Sequence, residues 1–376
     1  MRNSRWWRSA LAIFMTAEIG QFLWLLMARG FGVKVYTPVM LLGSAYLWHL
    51  IVLPFFAITI FLLYLVSSAR RWYSRRSSRL PVSIAERSVP GPTAVAMNRR
   101  QFLLASAICA PPALCLGLTA YGVSRRDSFR INRMELPLRS LPRELDGATI
   151  AHVSDLHLGR FTDETVIKDV VAATSNLRAD IVLLTGDLID FDLSDLSTAL
   201  SYVKKLDAPA GVFMCEGNHD LFQSRTVFET QVKESGVPLL LDEATTVRLR
   251  GRDIQLLGMK WEGGGSAHYP VYKRHLVRMD PLRDPEAFQI LLAHHPHAFD
   301  RAAEFGVPLT LSGHTHGGQL MLTPEIGAGP AMFKYWSGLY RKQDAALVVS
   351  NGVGNWFPLR VNAPAEIVHI TLRSLA

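Results

Sequence analysis

An apolar run of 28 residues, VMLLGSAYLWHLIVLPFFAITIFLLYLV at 39–66, is the strongest constraint on how this 376-residue chain can fold. A membrane-spanning helix needs about 20 such residues, because the hydrocarbon core of a bilayer is about 30 Å thick. A second run, SALAIFMTAEIGQFLWLLM at 9–27, is also long enough, although Glu18 and Gln21 are costly in hydrocarbon. The sequence therefore predicts two transmembrane helices within residues 1–66.

A third apolar run, FLLASAICAPPALCLGLTAYGV at 102–123, follows a pair of arginines in MNRRQFLL. Arg99 and Arg100 before an apolar stretch resemble a twin-arginine export signal, and LTA at 118–120 fits its cleavage site. The alternative is a plain membrane helix that follows two cytoplasmic arginines. Residues 101–123 are predicted to be one or the other.

Positive charge is concentrated in the N-terminal part of the chain. Residues 1–150 contain 19 Lys+Arg and 6 Asp+Glu, whereas the remainder contains 21 and 26. The linker at 67–100 holds eight arginines against Glu86 alone, so the positive-inside rule places it in the cytoplasm. The C-terminal part would then lie on the periplasmic or extracellular side of the cell membrane. The orientation reverses if the basic segment at 124–133 dominates.

Nucleic acid is a disfavoured partner, because the positive charge lies beside the apolar runs and the C-terminal part is acidic.

After a linker predicted at 124–147, residues 148–376 show short β-rich runs between amphipathic stretches, a rhythm typical of an α/β sheet. The predicted strands are 149–154, 181–184, 211–215, 254–258, 289–293, 309–312 and 347–350, and the predicted helices are 164–177 and 196–206.

Polar side chains follow five of these strands. They are Asp155 and His157, Asp187, Asn218 with His219 and Asp220, His294, and His314 with His316. Any one of them has an ordinary explanation as a turn or capping residue. Ligands of open α/β sheets bind beyond the carboxyl ends of the strands, so we expect all five groups to meet at one site.

The chemistry of these groups indicates divalent metal ions. Imidazole, carboxylate and amide ligands without thiolate suit Mn, Fe or Zn. The ligands are too many for one ion, and two ions bridged by a carboxylate form the clamp used for displacement at phosphorus. In GHTH the chain alternates direction through Thr315, which lets His314 and His316 face different ions.

In order, these residues form D-x-H, G-D, G-N-H, H and G-H-x-H, which resembles the calcineurin-like metallophosphoesterase superfamily over 148–372. GHTHGGQ and the segment NGVGNWFPLRVNAPAEIVHITL at 351–372 are similar to a branch of exported or membrane-bound bacterial phosphodiesterases. Relatives of that branch hydrolyse a UDP-2,3-diacylglucosamine lipid A precursor. The resemblance implies an α/β fold, a four-layer β-sandwich flanked by helices, preceded here by the transmembrane region.

The resemblance also implies roles for the site residues. Asp155, His157 and His316 would hold one ion, Asn218, His294 and His314 the other, and Asp187 would bridge them. His294 is preferred to His295 because the superfamily pattern is H-x-P. His219 would donate a proton to the leaving group, and Asp220 would orient His219.

The implied function is a membrane-anchored phosphohydrolase that cleaves a phosphodiester or pyrophosphate in a lipid-linked or envelope substrate, by attack of a metal-bridging hydroxide. A phosphomonoesterase or protein phosphatase is the alternative, although GDLIDFD lacks the arginine of G-D-x-V-D-R-G. A non-catalytic metal-binding scaffold is disfavoured because every ligand and His219 are present. The oligomeric state stays open.

Three other positions have two interpretations each. Arg360 would reach a substrate phosphate or pack in the core, and Trp356 and Phe357 would border an acyl-chain groove or pack.

Overall fold

The computed structural model describes residues 3–30, 38–77, 99–262, 269–323, 326–327, 329 and 333–375. They divide into two compact units, Met1–Val123 and Ser124–Ala376.

The N-terminal unit is helical. Its helices are α1 (Asn3–Gly30), α2 (Val39–Leu47), α3 (Leu53–Ser77) and most of α4 (Arg99–Arg126). A π turn at Trp48–Val52 joins α2 to α3 just before Pro54. Proline has no N–H to continue the regular backbone hydrogen bonds of an α-helix. Two stretches, Val39–Ser74 and Ala105–Arg126, are long and apolar enough to cross a membrane.

Glu18 is accommodated inside this unit rather than on its surface. Its carboxylate is buried and accepts a hydrogen bond from the Ser44 hydroxyl of α2. The Cys115 thiol of α4 lies 3.7 Å from the Ser44 carbonyl oxygen. Polar groups that pair between helices offset part of the cost of placing them in hydrocarbon.

The C-terminal unit is built on two sheets. Its strands are β1 (Phe129–Leu138), β2 (Thr149–Val153), β3 (Ile181–Thr185), β4 (Val212–Cys215), β5 (Glu243–Leu249), β6 (Arg252–Gly258), β7 (Phe288–Leu292), β8 (Leu309–Ser312), β9 (Met321–Thr323), β10 (Ile326–Gly327), β11 (Gly338–Lys342), β12 (Ala345–Val349) and β13 (Ala365–Ser374). Its helices are α5 (Glu164–Asn176), α6 (Leu196–Val203), α7 (Arg225–Ser235), α8 (Tyr269–Met279) and α9 (Phe299–Glu304).

The first sheet has the order β1-β13-β2-β3-β4, and the second has the order β11-β12-β8-β7-β6-β5. Strands β2, β3 and β4 are parallel to one another, as are β6, β7, β8 and β12. A short pair, β9 and β10, lies apart from both sheets.

The sheets pack face to face between two layers of helices. In β3, Ile181 and Leu183 face the core between the sheets, whereas Val182 and Leu184 face the core under α5, α6 and α7. Successive strand residues point to opposite faces, so a sheet buried on both faces is apolar throughout. On the far side, α8 and α9 cover the second sheet. The predicted four-layer α/β sandwich is confirmed.

The seven predicted strands are present within two residues of their expected bounds, and the two predicted helices within three. Helix α5 shows why. Its buried residues recur at helical spacing from Val166 to Thr174, and the Asp163 side chain caps the first turn by accepting from the Thr165 and Val166 amides.

The predicted linker at 124–147 is wrong in part, because β1 lies within it. All ten residues of β1 pair in parallel with β13, and Leu136 and Leu138 are buried between the sheets. The sequence FRINRMELPL is mostly exposed along its first seven residues, so its pattern does not indicate a half-buried strand. The C-terminal unit therefore begins at Ser124 rather than at residue 148.

We expect Leu136→Ala to destabilise the full chain by about 3 kcal/mol, because it removes a buried side chain and leaves a cavity. Unfolding by denaturant in detergent micelles, followed by tryptophan fluorescence, measures this change. The neighbouring control Glu135→Ala removes a largely exposed side chain and should cost less than about 1 kcal/mol. Equal stability of the two variants would contradict the place of β1 in the core.

Candidate metal centre

The site forms where the carboxyl ends of parallel strands from both sheets meet. Strands β2, β3 and β4 of the first sheet are followed, within three residues, by Asp155, Asp187 and Asn218, and β7 and β8 of the second are followed by His294 and His314. Contacts cross between the sheets at this point. His294 Nδ1 lies 2.6 Å from the Thr185 carbonyl oxygen, and the His314 amide donates to Asp155 Oδ1 at 3.0 Å.

A first group of ligand atoms contains Asp155, His157 and His316, and all three side chains are buried. His157 Nε2 lies 3.0 Å from His316 Nε2, and His316 Nε2 lies 3.2 Å from Asp155 Oδ1. These three residues are the ones assigned to one ion by the superfamily resemblance.

A second group contains Asp187, His294 and His314, with Asn218 beside them. Asn218 Oδ1 lies 3.1 Å from His294 Nε2 and 2.8 Å from His314 Nδ1. Asp187 Oδ2 lies 3.1 Å from His294 Nε2 and 3.4 Å from His157 Nε2 of the first group. Asp187 therefore lies between the two groups, and all seven predicted ligands come together.

His295, the alternative to His294, lies outside both groups. Its Nδ1 accepts a hydrogen bond from the His297 amide and caps the short helical turn at Pro296–Ala298.

The backbone at the site is held in an unusual conformation. Asp155, His157, Asp187, His314 and His316 all have positive φ, between 45° and 72°, although none of them is glycine. The left-handed region costs a residue with a side chain roughly 1 kcal/mol. Strain concentrated at five predicted ligands indicates that the surrounding structure enforces their placement for a purpose other than stability.

Two glycines make room for the carboxylates. A Cβ on Gly217 would lie 2.2 Å from Asp187 Oδ1, and a Cβ on Gly313 would lie 2.1 Å from Asp155 Oδ2. These distances are far inside van der Waals contact, so only glycine lets the two backbones approach the acidic groups this closely. The sequence analysis noted glycines beside the ligands, and the structure gives these two a specific steric role.

Two imidazoles and both carboxyls of the site are held in the form that binds a cation, whereas His294 must release a proton to do so. Burial lowers the pKa of His314 to about 3 and that of His316 to about 4, so both rings are neutral and offer a lone pair. Burial opposes ionisation of Asp155 and Asp187, but the facing imidazoles hold the pKa of both carboxyls well below the usual range. Burial likewise opposes a charge on His294, yet Asp187 raises the pKa of His294 to about 9.

The donor set fits two metal ions. Donors at about 2.1 Å from one ion lie roughly 3.0–3.4 Å apart in tetrahedral or octahedral geometry. The nitrogen pair His157–His316 is separated by 3.0 Å, and the pair His294–His314 by 3.2 Å. Each pair has a carboxylate oxygen beside it, so each group presents imidazole and carboxylate donors at the spacing of a single coordination sphere.

His219 stands next to the first group, with its ring 4.5 Å from the His157 ring. Its Nδ1 lies 2.6 Å from the Asp190 carbonyl oxygen and 3.4 Å from Asp190 Oδ1. Burial opposes protonation of this ring, but Asp190 raises the pKa of His219 to about 9. Nδ1 is therefore taken up by Asp190, and Nε2 is the nitrogen that remains for a substrate.

The predicted role of Asp220 as the residue that orients His219 is wrong. The Asp220 carboxylate accepts hydrogen bonds at 2.7–3.2 Å from the backbone amides of Asp187, Leu188, Ile189 and Gly217. Its function is to brace the loop that carries Asp187. Asp190 orients His219 instead, and it also lies 3.6 Å from His157 Nδ1.

Of the two roles considered for Arg360, the structure supports packing. Arg360 is 1% exposed, and its Nη2 lies 3.2 Å from His316 Nδ1. Its other contacts are the Asn355 side-chain oxygen and the backbone carbonyls of Asn351, Gly352, Gly354 and Ala363. Arg360 thus fastens the segment before β13 against His316.

Aromatic residues at the edge of the site include three that the sequence patterns did not select. The Trp261 ring lies 5.4 Å from the His294 ring and 5.2 Å from the His314 ring. Phe222 lies 4.5 Å from the His219 ring, and Phe191 lies 5.8 Å from Phe222. Trp356 is partly exposed, 6.5 Å from the His316 ring. Phe191 directly follows Asp190 in the sequence, and this adjacency is the signal by which the sequence could have indicated Phe191.

A family model described as calcineurin-like phosphoesterase matches residues 148–318. The Bacillus subtilis strain 168 protein named uncharacterized metallophosphoesterase YkuE is 31% identical over 294 residues, which cover 74% of this chain and 98% of that protein. The Escherichia coli K12 protein named phosphodiesterase YaeI is 30% identical over 231 residues, which cover 59% of this chain and 81% of that protein.

A Danio rerio protein named transmembrane protein with metallophosphoesterase domain is 29% identical over 265 residues, which cover 68% of this chain. The match spans 60% of the length of that relative.

We expect Asp187→Asn to lower metal affinity by at least about 100-fold, because the substitution removes the negative charge that lies between the two groups. Elemental analysis of the purified chain after metal loading measures the ion content, with about two ions per native chain as the reference. The control Asp344→Asn makes the same change at the exposed turn before β12 and should keep native content. Native metal content in Asp187→Asn would contradict the central place of this carboxylate.

Proposed function

This chain belongs to the calcineurin-like phosphoesterase family and is a metal-dependent phosphoesterase, and from that premise we propose that it cleaves a phosphodiester or pyrophosphate bond in a lipid-linked or envelope substrate. The observation that carries the proposal is the position of Asp187 between two groups of imidazole and carboxylate ligands. Such a pair of groups suits a phosphoryl group that must be held from two sides.

The family uses two divalent metal ions, and the proposed ligands follow the two groups. Asp155, His157 and His316 would hold one ion. Asn218, His294 and His314 would hold the other, and Asp187 would be shared. When bound, the ions supply Lewis acidity and lower the pKa of water.

His219 is proposed to donate the proton that the leaving oxygen requires. Its ring stands 4.5 Å from His157, at the edge of the first group, and Asp190 fixes its orientation through Nδ1. A ring held in this way presents Nε2 toward a phosphoester placed between the groups. With its pKa raised to about 9, the His219 ring is protonated at neutral pH and carries the proton that the leaving oxygen requires.

A diester or pyrophosphate suits this site better than a monoester. A monoester carries more negative charge on its terminal oxygens and gains most from a bidentate guanidinium. The buried Arg360 is fully engaged with carbonyl oxygens, and Arg225 is paired with Glu216 at 2.5 Å. Neither of these arginines is placed to bind a terminal phosphate, which supports the choice of a diester.

Membrane attachment is supported by the helical unit. Its two stretches, Val39–Ser74 and Ala105–Arg126, pass the length and composition requirements of a membrane span. We propose that the segment between α3 and α4 is cytoplasmic and that the catalytic unit lies on the outer side of the cell membrane, after a third span or a twin-arginine-like signal. A tether of this kind keeps the enzyme at the surface where amphipathic substrates collect.

The metal-loaded chain should hydrolyse bis(4-nitrophenyl) phosphate with a kcat/KM at least about 10-fold above that for 4-nitrophenyl phosphate, because Arg360 and Arg225 are both engaged elsewhere and do not bind a terminal phosphate. Release of nitrophenolate measures both rates. The Asp187→Asn preparation, purified in parallel, reports contaminating phosphatase. A higher kcat/KM for the monoester would support the phosphomonoesterase alternative and overturn this assignment.

A reporter that is active only outside the cytoplasm should give a signal when it is fused after Asp127, between α4 and β1. The positive-inside rule predicts this outcome from the eight arginines at 67–100. A fusion after Ser77, at the end of α3, is the matched control and should be inactive. The reverse pattern would place the catalytic unit in the cytoplasm, where nucleotide-linked lipid precursors become the substrates to test.

A further inference from the structure

Two phenylalanines stand exposed beside the proposed proton donor. Phe191 is 56% exposed and Phe222 is 50% exposed, and their ring centroids are 5.8 Å apart. The Phe222 ring is tilted against the His219 ring at 4.5 Å. We call these two residues the aromatic pair. Single exposed apolar side chains are ordinary, but two adjacent aromatic rings at an active site need an explanation.

The aromatic pair is placed by the loops that carry the catalytic groups. Phe191 directly follows Asp190, which fixes His219, and Phe222 directly follows the short turn His219–Leu221. Neither ring belongs to the hydrophobic clusters that fill the sandwich, although partly buried neighbours such as Leu193 and Leu221 pack against one of them. The same loops that orient the proton donor therefore hold the two rings toward solvent.

The position of the pair identifies the part of the substrate that it meets. His219 Nδ1 is engaged by Asp190, so Nε2 is the nitrogen that faces the leaving oxygen. Whatever is bonded to that oxygen must lie next to the His219 ring. Phe222 packs on this ring and Phe191 extends the apolar surface beyond it. The group that departs is therefore the part of the substrate that contacts the rings.

We propose that Phe191 and Phe222 determine specificity for the leaving group by binding an alkyl or acyl chain attached to it. The inference rests on the proposed function, since it requires a phosphoester positioned between the two ligand groups with its leaving oxygen at His219. The pair contributes apolar area next to the reacting atoms, and a chain laid across the rings removes that area from water.

Three substrates separate chain recognition on the leaving group from chain recognition elsewhere. Methyl 4-acetylphenyl phosphate is the reference. Methyl 4-octanoylphenyl phosphate carries a longer chain on the leaving phenol at nearly the same phenol acidity. Octyl 4-acetylphenyl phosphate carries a chain on the ester that is retained. Each is assayed with the metal-loaded full chain in lipid nanodiscs, so that partitioning into lipid is equal for all variants.

The native chain should prefer the octanoylphenyl over the acetylphenyl substrate by at least about 10-fold in kcat/KM. The double variant Phe191→Ala/Phe222→Ala should reduce this ratio to about 2 or less, while the ratio for the octyl ester stays at its native value. Because the readout is a ratio, any general loss that follows from the contact of Phe222 with His219 cancels. The control Val277→Ala, an exposed apolar change on α8, should keep both ratios.

The outcomes distinguish the inference from the function on which it rests. Hydrolysis of all three diesters without preference for the octanoylphenyl chain would overturn the role of the aromatic pair and leave the phosphodiesterase assignment in place. A preference for the octanoylphenyl chain that is unchanged in the double variant would also overturn the role of the aromatic pair and leave the phosphodiesterase assignment in place. Absence of hydrolysis of every diester would overturn the assignment and the inference together.

Discussion

The burial of carboxylates and imidazoles where two sheets meet is the constraint to which the rest of the C-terminal unit is fitted. Asp155 and Asp187 are at most 1% exposed and face several ring nitrogens at hydrogen-bond distance. Charges in such surroundings are stable only when they are paired or bound to cations. The left-handed backbone at five proposed ligands, the glycines that admit the carboxylates and the amides around Asp220 all keep these groups in place.

Much of this arrangement was predictable because short segments of the sequence specify it. A buried parallel strand is a brief apolar run, and the polar residues after it must fall at one edge of the sheet. That logic brought the seven proposed ligand residues to one site and gave most of the strands without knowledge of their partners. Strand β1 was not predicted, because it pairs with β13 across more than 230 positions in the sequence. A local sequence pattern does not indicate so distant a partner.

The assignment of Asp220 shows a second limit. In the sequence it is the neighbour of His219, whereas Asp190 is 29 residues away. The short helical turn at His219–Leu221 directs the Asp220 carboxylate toward the amides around Asp187, and the β3 loop delivers Asp190 to the ring. Which of two carboxylates serves an imidazole is decided by how loops pack, and sequence proximity is a poor guide to it.

The position of β13 has a consequence for how the enzyme is made. This strand lies between β1 and β2, and the segment before it carries Arg360, which fastens His316. All seven proposed ligands precede it in the chain, so a nascent or truncated polypeptide can contain all of them and still lack the strand that joins β1 to β2. Assembly of the two ligand groups would thereby wait for β13, and fragments released before this strand is made would present scattered side chains rather than an assembled hydrolytic site.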